Sequence, residues 1–203
     1  MSQLATSETR LLKRPVIWPQ QPAAFDDDGL ALVLLTLPVG TSHRATQRLT
    51  RQALQSILGV LLGRPAEALS LLESPRGPLL HDAARDLYIS LAYAANHVLI
   101  GIADGRTLGV DLVHIEEVPP ATELAALSQL YLPARACRAV LDAPAGTRAA
   151  HFAQGWAQME ACGKCLALPL TEIDANREQA LASCALVACG PLNGYAMAVA
   201  LNP

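Results

Sequence analysis

Trp156-Ala157-Gln158-Met159-Glu160-Ala161-Cys162-Gly163-Lys164, running on into Cys165-Leu166-Ala167-Leu168-Pro169-Leu170, is the stretch on which the reading of the chain turns. Its periodicity is helical, and Pro169 with the apolar residues around it marks the exit. Trp156, Glu160 and Lys164 stand at i, i+4 and i+8. One face of the helix therefore carries a buried aromatic, a carboxylate and an ammonium. Taken alone, the Glu160–Lys164 spacing describes a surface ion pair worth roughly 0.2–0.5 kcal/mol. Upstream, Leu108-Gly109-Val110-Asp111-Leu112 places a second acid near the end of an apolar strand.

The bulk numbers bound the rest. The chain has 203 residues, of which 52% are hydrophobic and 16% charged. That composition is globular, with length enough for one sizeable core or two small ones. A net charge of −3 gives no basic footprint for nucleic acid. Lys13 and Lys164 are the only lysines, so arginine carries nearly all positive charge, and its planar fork suits phosphate. No apolar run has the length of a membrane span, and residues 1–14 lack the apolar core of a signal peptide. A cytoplasmic protein without membrane contact is expected.

Five cysteines, an odd number, argue against a disulfide scaffold. Cys162-Gly163-Lys164-Cys165 spells C-x-x-C, but it follows a helical stripe instead of opening a helix after a strand, where a redox motif belongs. No second C-x-x-C and no paired histidines complete a zinc set, so packed thiols are expected.

Taken in order, residues 1–29 read as irregular, with Pro15, Pro19, Pro22 and the acidic run Asp26-Asp27-Asp28. Leu30 to Leu37 is an apolar strand. Ser42 caps a helix that runs to about Leu62, with Gly63 past its end. Ala45, Leu49, Ala53, Ile57 and Leu61 form its core stripe, and Arg44, Arg48, Arg51 and Gln55 form another, either a solvated basic face or an anion site. A short helix is expected around Pro65 to Leu72, and Ser74-Pro75-Arg76-Gly77-Pro78-Leu79 as a loop. Leu87 to Tyr93 and His97 to Ala103 are strands; Asp104-Gly105 turns the chain into a third, Thr107 to Val113, making one small antiparallel sheet. Glu116 to Pro120 links the halves. Residues 121–142 are helical with a break at Pro133, Pro144-Ala145-Gly146 is a turn, and His151 to Ala167 is the central helix. Ser183 to Cys189 and Tyr195 to Leu201 are strands joined through Gly190-Pro191-Leu192-Asn193-Gly194. His97, His114 and His151 have no ligand spacing and read as packed or surface residues.

The pairing of Gly109-Val110-Asp111 with Trp156-x-x-Met159-Glu160-x-x-x-Lys164 resembles the signature of the 4'-phosphopantetheinyl transferases, surfactin-type, a G-[IV]-D strand followed by W-x-x-K-E-x-x-x-K. The Leu166-Ala167-Leu168-Pro169-Leu170 tail and the closing Gly194-Tyr195-Ala196-Met197-Ala198-Val199 are similar to the family too, so the resemblance runs from about His43 to Ala200. It implies an α+β fold, a pseudo-twofold pair of similar subdomains, each a small antiparallel sheet packed on helices. The halves would be 1–115, ending after Asp111, and 116–203, with the Trp-Glu-Lys helix. No sequence repeat relates them.

The resemblance implies transfer of the 4'-phosphopantetheine arm of coenzyme A to a serine of an apo acyl- or peptidyl-carrier protein, releasing 3',5'-ADP. It makes Asp111 and Glu160 the Mg²⁺ ligands, Glu160 the base and Lys164 the cation at the leaving phosphate. It assigns Arg51, with Arg48, to the 3'-phosphate of coenzyme A. The loop Ser74 to Leu79 stands where the family carries G-K-P, whose lysine helps hold the nucleotide; that lysine is missing here, and Arg76, one residue away, is the substitute the resemblance implies. The family's S-L-S-H-S aligns with Ser90-Leu91-Ala92-Tyr93-Ala94, so Tyr93 replaces a histidine and retains one phenolic donor. Val113 replaces the family's second acid and Met159 its lysine; the holo-acyl-carrier-protein synthase branch manages with one Asp and one Glu. The partners implied are coenzyme A and an acidic carrier protein of fatty acid, polyketide or nonribosomal peptide biosynthesis, met by a monomer through an apolar groove. The alternative is a non-catalytic relative that binds coenzyme A or a carrier.

Overall fold

The structure is a computed structural model that describes residues 13–74, 77–80 and 85–202. The first strand, β1 (Val16–Trp18), lies within the stretch read from sequence as irregular, and it pairs in parallel with β2 (Leu30–Thr36). Lys13 pins this entry by ion pairs of 2.5 and 2.6 Å to Asp26 and Asp28. Helix α1 (His43–Leu62) has the ends its sequence announces. The Ser42 hydroxyl accepts from the Ala45 amide, and Gly63 closes the helix at φ 62, a left-handed conformation that glycine adopts without strain. Its buried stripe centres on Thr50, Leu54, Ile57 and Leu58, with Leu49, Ala53 and Leu61 on the flank. The face is rotated from the expected one because β2 and its neighbours contact the 50–54–57–58 ridge.

After a single 3-10 turn at Ala66–Ala68, where a longer helix was expected, β3 (Leu71–Ser74) and β4 (Gly77–Leu80) form a two-stranded hairpin. The stretch read as a loop is thus largely strand; Arg76 lies outside the described residues. Strands β5 (Leu87–Ala94) and β6 (His97–Asp104) form a hairpin turned at Ala95-Asn96. Strand β7 (Leu108–His114) does not continue that sheet. It joins the second sheet, because its partner is the last strand of the chain.

Three helices follow, α2 (Ala121–Tyr131), α3 (Ala134–Asp142) and α4 (Ala145–Cys165), each starting directly after a proline: Pro120, Pro133 and Pro144. Proline pre-sets the backbone and lacks the N–H a first turn would leave unpaired. Ala145 and Gly146, read as part of a turn, are the first turn of α4. Helix α5 (Ala175–Leu181) was not anticipated; its cap is Asp174, which accepts from the Arg177 amide at 2.7 Å. Strands β8 (Ala185–Leu192) and β9 (Tyr195–Leu201) close the chain through the two-residue turn Asn193-Gly194, so 190–192 are strand. Both turn residues have positive φ, 46 and 86, as a tight hairpin of this kind requires.

The described strands form a four-stranded sheet in the order β1-β2-β6-β5 and a three-stranded sheet in the order β7-β9-β8. One topology is written twice. In each half a strand (β2 or β7) leads through a long helix (α1 or α4) to a hairpin (β5-β6 or β8-β9), whose second strand pairs antiparallel with the first. Alternation along the strands then sets four layers. Val33, Leu35, Val98, Ile100 and Ile102 pack against Leu54, Ile57 and Leu58 of α1. Leu32, Leu34, Leu99, Leu108, Val110, Met197 and Val199 meet between the two sheets. Ala196, Ala198 and Ala200 face Ala157, Ala161 and Cys162 of α4 on the far side. The fold is α+β with small, mainly antiparallel sheets packed on helices, and the two long helices occupy opposite outer layers.

The seam between halves is closed by Tyr195. Its hydroxyl lies 2.9 Å from His97 Nδ1, and its ring stacks on His114 with centroids 4.7 Å apart. Ser90 on β5 ties the sheets further, its hydroxyl accepting from the Val110 amide at 3.0 Å in a buried setting. His97 and His114 are thus packed residues, and His151 is exposed, as their lack of ligand spacing suggested.

Candidate functional site

Strand β7 alternates between two destinations. Leu108, Val110 and Leu112 enter the inter-sheet core, so Gly109, Asp111 and Val113 face α4. Gly109 is what lets the helix approach: a Cβ there would stand 1.9 Å from the Ala161 carbonyl oxygen. With the alanines of β9 it makes a nearly flat bed, and the helix lies close enough for its side chains to reach β7.

Lys164 makes that reach. Its ammonium donates to Asp111 Oδ1 at 2.7 Å and to the Val110 carbonyl at 3.1 Å. The Lys164 side chain is 33% exposed and that of Asp111 12%. The i, i+4 spacing suggested a Glu160–Lys164 pair, but the ion pair is with Asp111, because β7 lies directly under that turn of helix. Among the described residues Glu160 makes no hydrogen bond or ion pair. It is half-buried on the same stripe, one turn before Lys164. Trp156, one turn earlier still, is half-buried where a buried ring was expected. It packs on Tyr131 and Phe152 with ring centroids 5.7 and 5.6 Å away.

Burial dominates the electrostatics. It pushes the Asp111 carboxyl above its ordinary range, against the opposing pull of the Lys164 ammonium and the Leu112 amide. Burial raises Glu160 also, the Asp111 charge adds to the rise, and Lys164 and Arg177 offset part of it. A carboxyl raised by burial and by a neighbouring carboxylate is a place where a hard cation is stabilised. Among the described residues no group of three or more His, Cys, Asp or Glu side chains gathers as a metal set. Any cation here would rest on the two carboxylates and its own waters. Mg²⁺ accepts that, since it keeps several waters when protein-bound. Val113, on the same strand face, is half-buried against the α4 layer and offers no donor.

Arg177 is the residue that sequence reading missed. It is 9% exposed, and its guanidinium donates to the Pro169 carbonyl at 2.6 Å and the Thr171 hydroxyl at 3.2 Å, with Nη2 3.9 Å from the Met159 sulfur. Its Nε has no hydrogen-bond partner among the described residues. It folds the segment after α4 back over the helix and adds positive charge beside Glu160. The sole sequence signal was the Asp174 cap three residues before it.

The other candidates stand elsewhere. Arg48 is exposed on α1. Arg51 is half-buried and its guanidinium donates to the Leu71 carbonyl, while the Gln55 amide donates to the Leu69 carbonyl at 3.3 Å. That stripe holds the chain entering β3, so it is neither purely solvated nor gathered with Asp111, which faces the opposite outer layer. Tyr93 is 47% exposed near the end of β5. Arg76 lies outside the described residues. The C-x-x-C pair is buried in the last turn of α4, and none of Cys137, Cys162, Cys165 and Cys184 is disulfide-bonded. Burial and the neighbouring Cys165 and Cys162 thiols push the Cys184 thiol well above its ordinary value, which suppresses the thiolate that redox chemistry needs. No helix among the described residues is long and apolar enough to cross a membrane.

No model of a known protein family matches the chain, and no curated protein sequence matches it.

Proposed function

We propose that this chain transfers the 4'-phosphopantetheine arm of coenzyme A to a serine hydroxyl of an apo carrier protein. The observation that carries the reading is the convergence of Asp111 with Glu160 and Lys164, from segments some fifty residues apart, across the close contact of β7 and α4. The repeated strand–helix–hairpin topology supports the surfactin-type transferase fold for the same chain.

In this reading Asp111 and Glu160 hold Mg²⁺. The ion, when bound, neutralises charge on the pyrophosphate of coenzyme A. The serine oxygen bonds to the pantetheine-bearing phosphorus as the bond to the second phosphate breaks, and 3',5'-ADP leaves. The serine proton passes to Glu160, directly or through water. Lys164 offers a positive charge to the departing phosphate. Arg177, behind Met159, supplies charge on the side where the resembling family carries a lysine. Arg48 and Arg51, on the α1 layer away from Asp111, are not gathered with this site, which leaves Tyr93 and Arg76 for the nucleotide. The partner is an acidic carrier protein of fatty acid, polyketide or nonribosomal peptide assembly, and the setting is the cytoplasm.

A non-catalytic binder of coenzyme A or of a carrier is the competing reading, favoured by Val113, which offers no third acid on the strand face of Asp111. The two separate on a released product. A transferase liberates 3',5'-ADP from coenzyme A when Mg²⁺ and an apo carrier are both present. Coenzyme A that stays intact, with folded protein and several carriers, rules for the binder.

A further inference from the structure

Asp111 is the acid the proposed cation needs most, and it already holds one: the Lys164 ammonium, 2.7 Å from Oδ1. The arrangement is suited to exchange. Lys164 is a third exposed, on a flexible four-carbon stem, and its second bond, to the Val110 carbonyl, is the longer of the two at 3.1 Å. Glu160, one helical turn away, makes no bond among the described residues and stands ready as a second ligand. The backbone of Asp111 is held in β7 by its pairing with Ala198.

We propose that Lys164 is the resident counter-ion of Asp111 and that a divalent cation binding to Asp111 and Glu160 displaces it, freeing the ammonium for an incoming phosphate. Both cations at contact distance on one carboxylate would repel each other in a half-buried site where screening is poor. The inference rests on the transferase reading for the identity of that phosphate; the exchange itself needs only the two acids and the lysine. It supplies a cause for cooperation between metal and nucleotide. Metal alone must evict an ammonium that then has no anion. Nucleotide gives the evicted ammonium a partner, so each ligand strengthens the other by the same factor.

The chain offers a clean probe, because Lys164 and Lys13 are its only lysines. Full-length protein carrying ¹³C,¹⁵N-lysine should show two side-chain ammonium signals, with Lys13, paired to Asp26 and Asp28, as internal reference. Mg²⁺ is titrated alone and then with coenzyme A, with calorimetry on the same samples. The expected result is that Mg²⁺ shifts the Lys164 signal and speeds its hydrogen exchange while Lys13 stays still. Asp111→Asn should shift the Lys164 signal without metal and abolish its response to Mg²⁺. Lys164→Gln should tighten Mg²⁺ binding to the free protein by roughly tenfold, since the competing ammonium is gone. Mg²⁺ that binds by calorimetry while the Lys164 signal stays in place overturns the exchange and leaves the transferase reading standing. Mg²⁺ that fails to bind with or without coenzyme A overturns the metal assignment, and the exchange with it.

Discussion

Gly109 of β7 lies under Ala161 of α4 so closely that a single added methyl would stand 1.9 Å from the Ala161 carbonyl oxygen. The whole candidate site depends on this contact, since it brings Lys164 within reach of Asp111. Gly109→Ala must push helix and strand apart, against backbone atoms that cannot yield, at a cost of about 3 kcal/mol. Gly146→Ala is the control. It sits in the first turn of α4 with nothing within 4 Å of the added Cβ, and should be neutral or stabilising by up to ~1 kcal/mol. Urea unfolding of both variants decides; equal stabilities would mean that α4 is not seated as described.

Ser90 and Val110 make the second tie between the two sheets. Ser90→Ala strips the buried Val110 amide of its acceptor, which costs about 1–3 kcal/mol. Hydrogen exchange should be faster at the Val110 amide than at its neighbours on β7. An unprotected Val110 amide in the wild type would contradict the bond.

Arg177 should be intolerant of truncation. Arg177→Ala removes a buried side chain that ties down the exposed Pro169 carbonyl and Thr171 hydroxyl, and a loss of about 1–3 kcal/mol is expected from the lost packing and hydrogen bonds. Proteolysis should then open the 167–174 segment first. A variant as stable and as resistant as wild type would show that Arg177 does not hold that segment.

The raised carboxyls of Asp111 and Glu160 give the stability a sign with pH. Both bind a proton more readily in the folded than in the unfolded chain. Their contribution is therefore fully present below the ordinary carboxyl range, about pH 4, and is lost as pH rises through their raised folded values. Glu160→Gln removes one of the two charges, so the variant should gain on wild type as pH climbs from about 4 towards neutrality. Chemical denaturation across that range checks it. Parallel curves would mean that the Glu160 carboxyl is not raised in the folded chain.

Local signals and long-range ones were unequally legible. Ser42 and Gly63 announced both ends of α1 because caps act on adjacent backbone, and Asn193-Gly194 announced its hairpin for the same reason. Asp104-Gly105 is as strong a turn signal, yet the strand after it leaves for the second sheet. Leu108 pairs with Leu201, and nothing local to residue 108 records a partner at the far end of the chain. The prolines misled twice, hiding the β3–β4 hairpin and the first turn of α4. At the site Lys164 does meet Asp111, but the pair was misread, and Arg48 and Arg51 stand on another layer. Helical spacing joins Glu160 to Lys164, and only the seating of α4 on Gly109 shows that Lys164 belongs to Asp111. Burial of Arg177 has no pattern in the sequence, because it depends on how α5 folds back over Met159.

The central claim is tested most directly by the intact mass of an apo carrier protein after incubation with this protein, coenzyme A and Mg²⁺. The account predicts a gain of one phosphopantetheine arm, abolished by EDTA and by Asp111→Ala, and strongly slowed by Lys164→Ala in protein that remains folded. Carriers from fatty acid, polyketide and nonribosomal peptide systems that all keep their apo mass would contradict it.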